Sequence, residues 1–199
     1  TWFCFIPKRR RKMGWLARAF TALPPANKRI RILHIGRNVP ENKNRKEVLW
    51  MIAIANDHVG LELKAKIIEV LEKKGLEYKD FGTYTSERTD YPIYSQQAAD
   101  AVASGECDRG ILVCGTGVGI SLAANKVPGI RCVVCSDCYT AKLSRQHNNT
   151  NMLAMGARVV GADLAQMITE IWLDTEYEGG RHQRRLDMIA QIEKGEKVY

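Results

Sequence analysis

No run of about 18 apolar residues occurs in this chain of 199 residues, which excludes a membrane-spanning helix of ordinary length. The basic run Lys8–Lys12 is not followed by an apolar stretch of adequate length, so a secretory signal is excluded too. A Gly-Lys-Ser/Thr triplet is missing after the glycine-rich segment 115–119, and its glycines fall at 115, 117 and 119 with Ile at 120. Neither the phosphate loop of ATP-binding proteins nor the dinucleotide fingerprint G-x-G-x-x-G fits, which disfavours ATP and NAD. Metal ligands are scarce as well. Cys132-x-x-Cys135-x-x-Cys138 has ligand-like spacing but no fourth cysteine or nearby histidine. A strand through 130–135 turns side chains three apart to opposite faces, so no metal is expected. Acid is short in one place only: nothing before Glu41 is acidic.

What is present is divided unevenly. Residues 1–50 hold 13 of the 30 basic and 2 of the 22 acidic side chains, net +11, whereas 51–199 carries net −3. The sequence therefore divides into a basic, disordered or non-native N-terminal extension, 1–50, and a folded domain, 51–199. Met51 opens a buried-looking strand, so the upstream stretch reads as vector or mistranslated sequence, with a disordered arm or a targeting peptide as alternatives. An acidic folded part disfavours nucleic acid as a partner. Six scattered cysteines without a signal peptide suit a reducing, cytoplasmic compartment.

From residue 51 short apolar runs alternate with helical periods. Strands are predicted at 51–56, 76–81, 109–114, 130–135 and 152–155. Helices are predicted through Leu63–Leu71 and over about 93–104, 118–126, 138–146, 162–177 and 181–194. This order predicts an α/β fold, a three-layer Rossmann-like domain with a five-stranded parallel sheet and right-handed crossovers.

Ligands of such sheets bind at the carboxyl ends of the strands. There the third strand delivers Cys114 into Gly115-Thr116-Gly117-Val118-Gly119 and a helix start. Free backbone N–H groups and the helix dipole attract anions, and a thiol in that field loses its proton more readily than a free cysteine. A candidate base or nucleophile thus stands beside a candidate oxyanion site. Glycine turns and buried cysteines are also common in plain structural roles. Asn56–Gly60, Asp90–Pro92 and Arg145–Asn149 are expected to join the Cys114 loop near one rim, although Asp57 and Asp90 could simply cap helices. Arg181 and Arg185, four apart on one helix face, could grip a phosphate, or merely form a solvated basic face or salt bridges to acids such as Glu178 and Asp187.

Taken together, Asp57-His58-x-Gly60, Asp90-Tyr91-Pro92, Cys114-Gly-Thr-Gly-x-Gly119, Arg145-x-His147-Asn148 and Gly179-Gly180-Arg181-His182-x-x-Arg185 resemble the type B ribose-5-phosphate isomerases. That family includes the galactose-6-phosphate and allose-6-phosphate isomerases. The resemblance spans about 51–195. It implies cofactor-free interconversion of ribose 5-phosphate and ribulose 5-phosphate through an enediolate, a step of the pentose phosphate pathway. Allose 6-phosphate, galactose 6-phosphate or noncatalytic sugar-phosphate binding are the alternatives. It makes Cys114 the base between C2 and C1, with the N–H groups of Gly115, Gly117 and Gly119 and the Thr116 hydroxyl on the enediolate oxygen. His147 becomes the ring-opening group with Asp57 as its partner near the sugar hydroxyls. His58, Arg181 and Arg185 form the phosphate clamp, Tyr91 and Asn148 touch the sugar, and Arg158 reaches the phosphate from a neighbouring subunit. A homodimer or dimer of dimers with its active site at the interface follows. Asn56 stands where relatives often have Cys or Ser.

Overall fold

The computed structural model describes residues 50–199; the extension predicted for 1–50 lies, apart from Trp50, outside the described residues. Strands β1 (Met51–Asn56), β2 (Glu77–Asp80), β3 (Arg109–Cys114), β4 (Cys132–Val134) and β5 (Met152–Gly156) alternate with helices α1 (Leu61–Lys73), α2 (Tyr91–Ala103), α3 (Val118–Ala124), α4 (Cys138–Asn148) and α5 (Ala162–Asp174), and α6 (Arg181–Glu193) closes the order. All strand pairs are parallel, in the order β2-β1-β3-β5-β4. This is the predicted three-layer α/β fold.

The alternation of side chains along each strand builds two unlike layers. Ile52, Ile54, Ile111, Val113, Leu153 and Met155 face one side, where Ile67 and Leu71 of α1 and Ile168 and Trp172 of α5 cover them. Ala53, Ala55, Leu112, Cys114, Met152 and Ala154 face the other, under Ala98, Ala99 and Val102 of α2 and Ile120 and Ala124 of α3. Each fully buried Ile, Leu or Val contributes about 1.5–3 kcal/mol relative to its exposed state, so the branched layer carries more of the stability. The alanine layer lets α2 and α3 approach the sheet closely. Cys132 belongs to this second layer and Cys135 to the first, the opposite facing expected of two strand positions three apart. Burial raises the Cys135 thiol to about 12 and drives Cys132 upward as well.

The differences from the predicted bounds lie at the sheet's margins. β2 and β4 are the edge strands, paired on one side only, and both are shorter than predicted. α5 stops at Asp174 because Thr175 turns extended (φ −88°, ψ 124°). Trp50 packs with the domain: the Arg109 guanidinium lies 4.0 Å from its ring centroid and 5.4 Å from that of Trp172. Burial, then the nearby Arg145 charge, lowers Arg109 to about 10. Its Nη1 donates to the Leu173 carbonyl at 2.8 Å.

Strand direction fixes what lies where. In a parallel sheet every helix returns from the strand ends to the strand starts. The turns after β1 and β3 therefore share one edge, and the carboxyl end of α4 sits at the opposite one.

Candidate active site

At the strand-end edge, Cys114 is 4 % exposed, and its Sγ accepts the Gly117 N–H at 3.2 Å, which fixes the sulfur's direction. Gly117 takes φ 79°, ψ −21°, a left-handed turn that glycine adopts at little cost. Two further glycines close the site. A Cβ on Gly119 would lie 2.6 Å from Cζ of Tyr91, and one on Gly156 would lie 2.7 Å from the Thr116 carbonyl carbon. Tyr91 and Thr116 are thus seated against the loop by missing side chains. Thr116 is exposed, and its Oγ1 accepts the Val118 N–H at 3.4 Å. Gly156, the register partner of Cys114, carries no motif signal in the sequence; only strand pairing reveals its part.

The turn after β1 adds two groups. Asp57 is buried and its Oδ1 accepts the Val59 N–H at 2.9 Å, so it shapes the turn. His58 Nδ1 accepts the Thr89 N–H at 3.3 Å, which ties this turn to the segment before α2. Asp90 is exposed and makes no side-chain cap bond. Arg158, expected to come from a neighbouring subunit, instead stands exposed at this same edge, beside the chain's own Cys114 loop, with its N–H donating to the Gly115 carbonyl at 3.0 Å.

His147 and Asn148 are not at this edge, which corrects the expectation of a single rim. They end α4, where Arg131, just before β4, donates to the Asn149 carbonyl at 3.1 Å from Nε and 2.8 Å from Nη2. Arg145 likewise donates to the carbonyl of Thr150, just before β5. The run from Met152 to Gly156 separates the two edges, about 13 Å at the usual rise per residue. Asp57 is therefore no partner of His147 within one chain. The carboxylate beside it is Glu178, whose Oε2 lies 4.0 Å from His147 Nε2 and 3.8 Å from His182 Nε2. The sequence offered Glu178 only as an ion-pair partner for the arginines; its place beside the histidines comes from the bend at Gly179-Gly180.

Arg181 and Arg185 begin α6 at this same strand-start edge, both exposed. The acids that might have paired with them are engaged elsewhere: Glu178 turns to the histidines, and Asp187 accepts from Gln183 at 2.8 Å. One chain thus carries two half-sets. Asp57, His58, Tyr91, Cys114, the 115–119 loop and Arg158 occupy one edge, and His147, Asn148, Arg181 and Arg185 the other. No helix among the described residues is long and apolar enough to cross a membrane.

Comparison with known proteins agrees with this architecture. The chain is 61 % identical over 143 residues to "Ribose-5-phosphate isomerase B" of Escherichia coli, a match covering 72 % of this chain and 96 % of that protein. Ribose-5-phosphate isomerase B of Clostridium thermocellum superposes with a TM-score of 0.72 at 54 % identity, covering 73 % of this chain and 98 % of that one. The Mycoplasma genitalium enzyme, solved with bound ribulose 5-phosphate, gives a TM-score of 0.69 at 43 % identity, over 72 % and 96 % of the two chains. The model of the Ribose/Galactose Isomerase family matches residues 52–189, and the chain belongs to that family.

Proposed function

We propose that this chain is an aldose–ketose isomerase that interconverts ribose 5-phosphate and ribulose 5-phosphate, as a step of the pentose phosphate pathway. The observation that carries the reading is the Cys114 sulfur, held by the Gly117 N–H at 3.2 Å beside a turn of further N–H groups. The furanose first opens: the C1–O bond breaks toward the ring oxygen, which gains a proton as the anomeric hydroxyl loses one, and His147 relays it. Cys114, as thiolate, then takes the C2 proton. The released electron pair forms the C1–C2 double bond, and the carbonyl oxygen becomes the enediolate oxygen facing the 115–119 loop. The O2 hydroxyl proton then passes to O1 as the C2–O bond becomes a carbonyl, and return of the carbon-bound proton from Cys114 to C1 yields the ketose. Positioned proton transfer contributes ~10²–10⁴-fold, and each oxyanion donor roughly 10²–10³. Hydrogen moves within one molecule, so the balance needs no redox cofactor.

Two copies of the chain complete the site: the Cys114 edge of one meets the His147, Arg181 and Arg185 edge of the other. The two half-sets at opposite edges support this, and so do exposed apolar side chains near both. Val118 and Leu122 on α3 are 50 % and 59 % exposed, and Ile189 and Ile192 on α6 are 47 % and 57 % exposed. Across such a contact His58 and Arg158 of one copy join Arg181 and Arg185 of the other around the phosphate. Five unpaired thiols among the described residues suit a reducing compartment, and the cytoplasm is where we place the reaction. Residues 1–50, as an extension, lie outside this chemistry.

A coupled assay on ribose 5-phosphate, allose 6-phosphate and galactose 6-phosphate tests the substrate, with ribose 5-phosphate expected to give the highest kcat/KM. Cys114→Ala is expected to lose exchange of the C2 proton with solvent while still binding substrate. Wild-type exchange in that variant overturns the assignment of the base.

A further inference from the structure

The segment that carries the arginine pair also brings two more titratable groups against His147. The His182 ring stacks on the His147 ring, with centroids 4.2 Å apart and planes 9° from parallel. Glu178 Oε2 caps both Nε2 atoms, at 3.8 Å from His182 and 4.0 Å from His147. These are ion-pair distances, longer than hydrogen bonds. His182 is 4 % exposed, whereas the His147 side chain is 33 % exposed.

The surroundings decide where a proton sits. Arg181 Nε donates to His182 Nε2 at 3.4 Å, so that nitrogen is an acceptor and the ring is neutral. Burial, then the charges of His147, Arg181 and Arg185, lower His182 below the ordinary histidine range against the pull of Glu178. A second cation 4.2 Å from the first is repelled, and the inner ring is the one already disfavoured. His147, the outer ring, is the one that meets both solvent and the carboxylate.

The backbone is shaped for this contact. Gly179 and Gly180 take φ 64° and 57°, and Gly180 with ψ −127° adopts a conformation essentially reserved for glycine. The Glu178 N–H donates to the Gln146 carbonyl at 3.0 Å, and the His182 N–H to the Gly179 carbonyl at 3.1 Å. The chain thereby reverses beneath His147 and presents both groups from one tight bend. A shared metal ion fits poorly, because parallel stacked rings cannot both aim in-plane lone pairs at one ion at about 2.0–2.1 Å.

We propose that Glu178 and His182 are positioning residues for His147: the stacked ring sets the plane of the imidazole, and the carboxylate, facing both Nε2 atoms, balances the charge that His147 takes on as it relays a proton. A carboxylate orienting a histidine that moves a proton is the logic of hydrolytic triads, here with an aromatic backing in addition. The proposal rests on His147 being the ring-opening group.

The test compares two substrates. Ribose 5-phosphate must open its ring; a four-carbon aldose 4-phosphate cannot close a furanose, because its C4 oxygen carries the phosphate. Glu178→Gln and His182→Phe are expected to lower kcat/KM on ribose 5-phosphate about tenfold, a fraction of the ~10²–10⁴ supplied by positioned proton transfer, and to change the four-carbon reaction far less. Glu178→Gln is also expected to displace the acid limb of the ribose 5-phosphate pH profile, and Glu178→Asp to restore part of the rate. In a His147→Asn background neither substitution is expected to matter further. The ratio of the two rates does not depend on the fraction of enzyme folded, so an unstable variant still reports. If Glu178→Gln and His182→Phe leave that ratio at the wild-type value while His147→Asn changes it, the positioning roles are overturned and His147 stands. If His147→Asn lowers both substrates equally, the ring-opening assignment falls and this inference with it.

Discussion

The two edges of the sheet hold chemically different equipment. At the strand ends the polar groups are backbone N–H groups in a glycine turn, one nearly buried thiol, and side chains seated where glycines leave room for them. At the strand starts they are long cations and two histidines carried on helix termini, with a carboxylate on the bend before α6, most of them solvent-facing. The first edge is rigid, since its atoms are fixed by strand register and close packing. The second is a set of side chains: Arg181 and Arg185 stand exposed on α6, while His182 is buried against His147 of α4. Rigid donors suit a charge that develops at one atom during reaction, and flexible cations suit a phosphate that must enter and leave.

Mixing breaks or confirms the pairing of edges outright. Cys114→Ala and His147→Asn chains, each strongly impaired on ribose 5-phosphate, are expected after subunit exchange to recover about a quarter of the wild-type rate, because half the dimers are mixed and each holds one intact site. No recovery would put the whole site within one chain. Gly156→Ala attacks the rigid edge alone. Its Cβ would meet Thr116 backbone atoms at 2.7–2.8 Å, so the loop must shift, and a loss of roughly 10²-fold in kcat is expected, the scale of one oxyanion donor. Arg181→Ala attacks the flexible edge alone and is expected to raise KM about tenfold with little change in kcat, as when binding common to ground and transition states is removed. Steady-state kinetics separate these two signatures, and an inverted pattern would reverse the assigned division. Trp50→Ala touches neither edge's chemistry. It is expected to lower stability by about 1 kcal/mol through the lost contact with Arg109 and to leave kinetics unchanged, as a denaturant titration would report.

Much of this was legible beforehand. The strands β1 and β3 match their predicted bounds because their runs are continuously apolar and bounded by polar turns. Cys114 and the glycine loop were readable because strand, turn and helix are adjacent in sequence. The location of His147 was misjudged for a physical reason: a motif records residue order, while its edge depends on the direction in which the helix returns. Gly156 acts through strand register alone, so no local pattern could have revealed it; Glu178 was legible only as a partner for nearby cations, because its approach to His147 depends on a bend.

An enzyme assembled from opposite edges of two copies obeys mass action in its own concentration. Val118, Leu122, Ile189 and Ile192 are the exposed apolar side chains from which such an association would draw its free energy. Specific activity per chain would then fall on dilution through the dimer dissociation constant, and substrate, by bridging the two copies through its phosphate and its reacting carbons, would shift that midpoint to lower protein concentration.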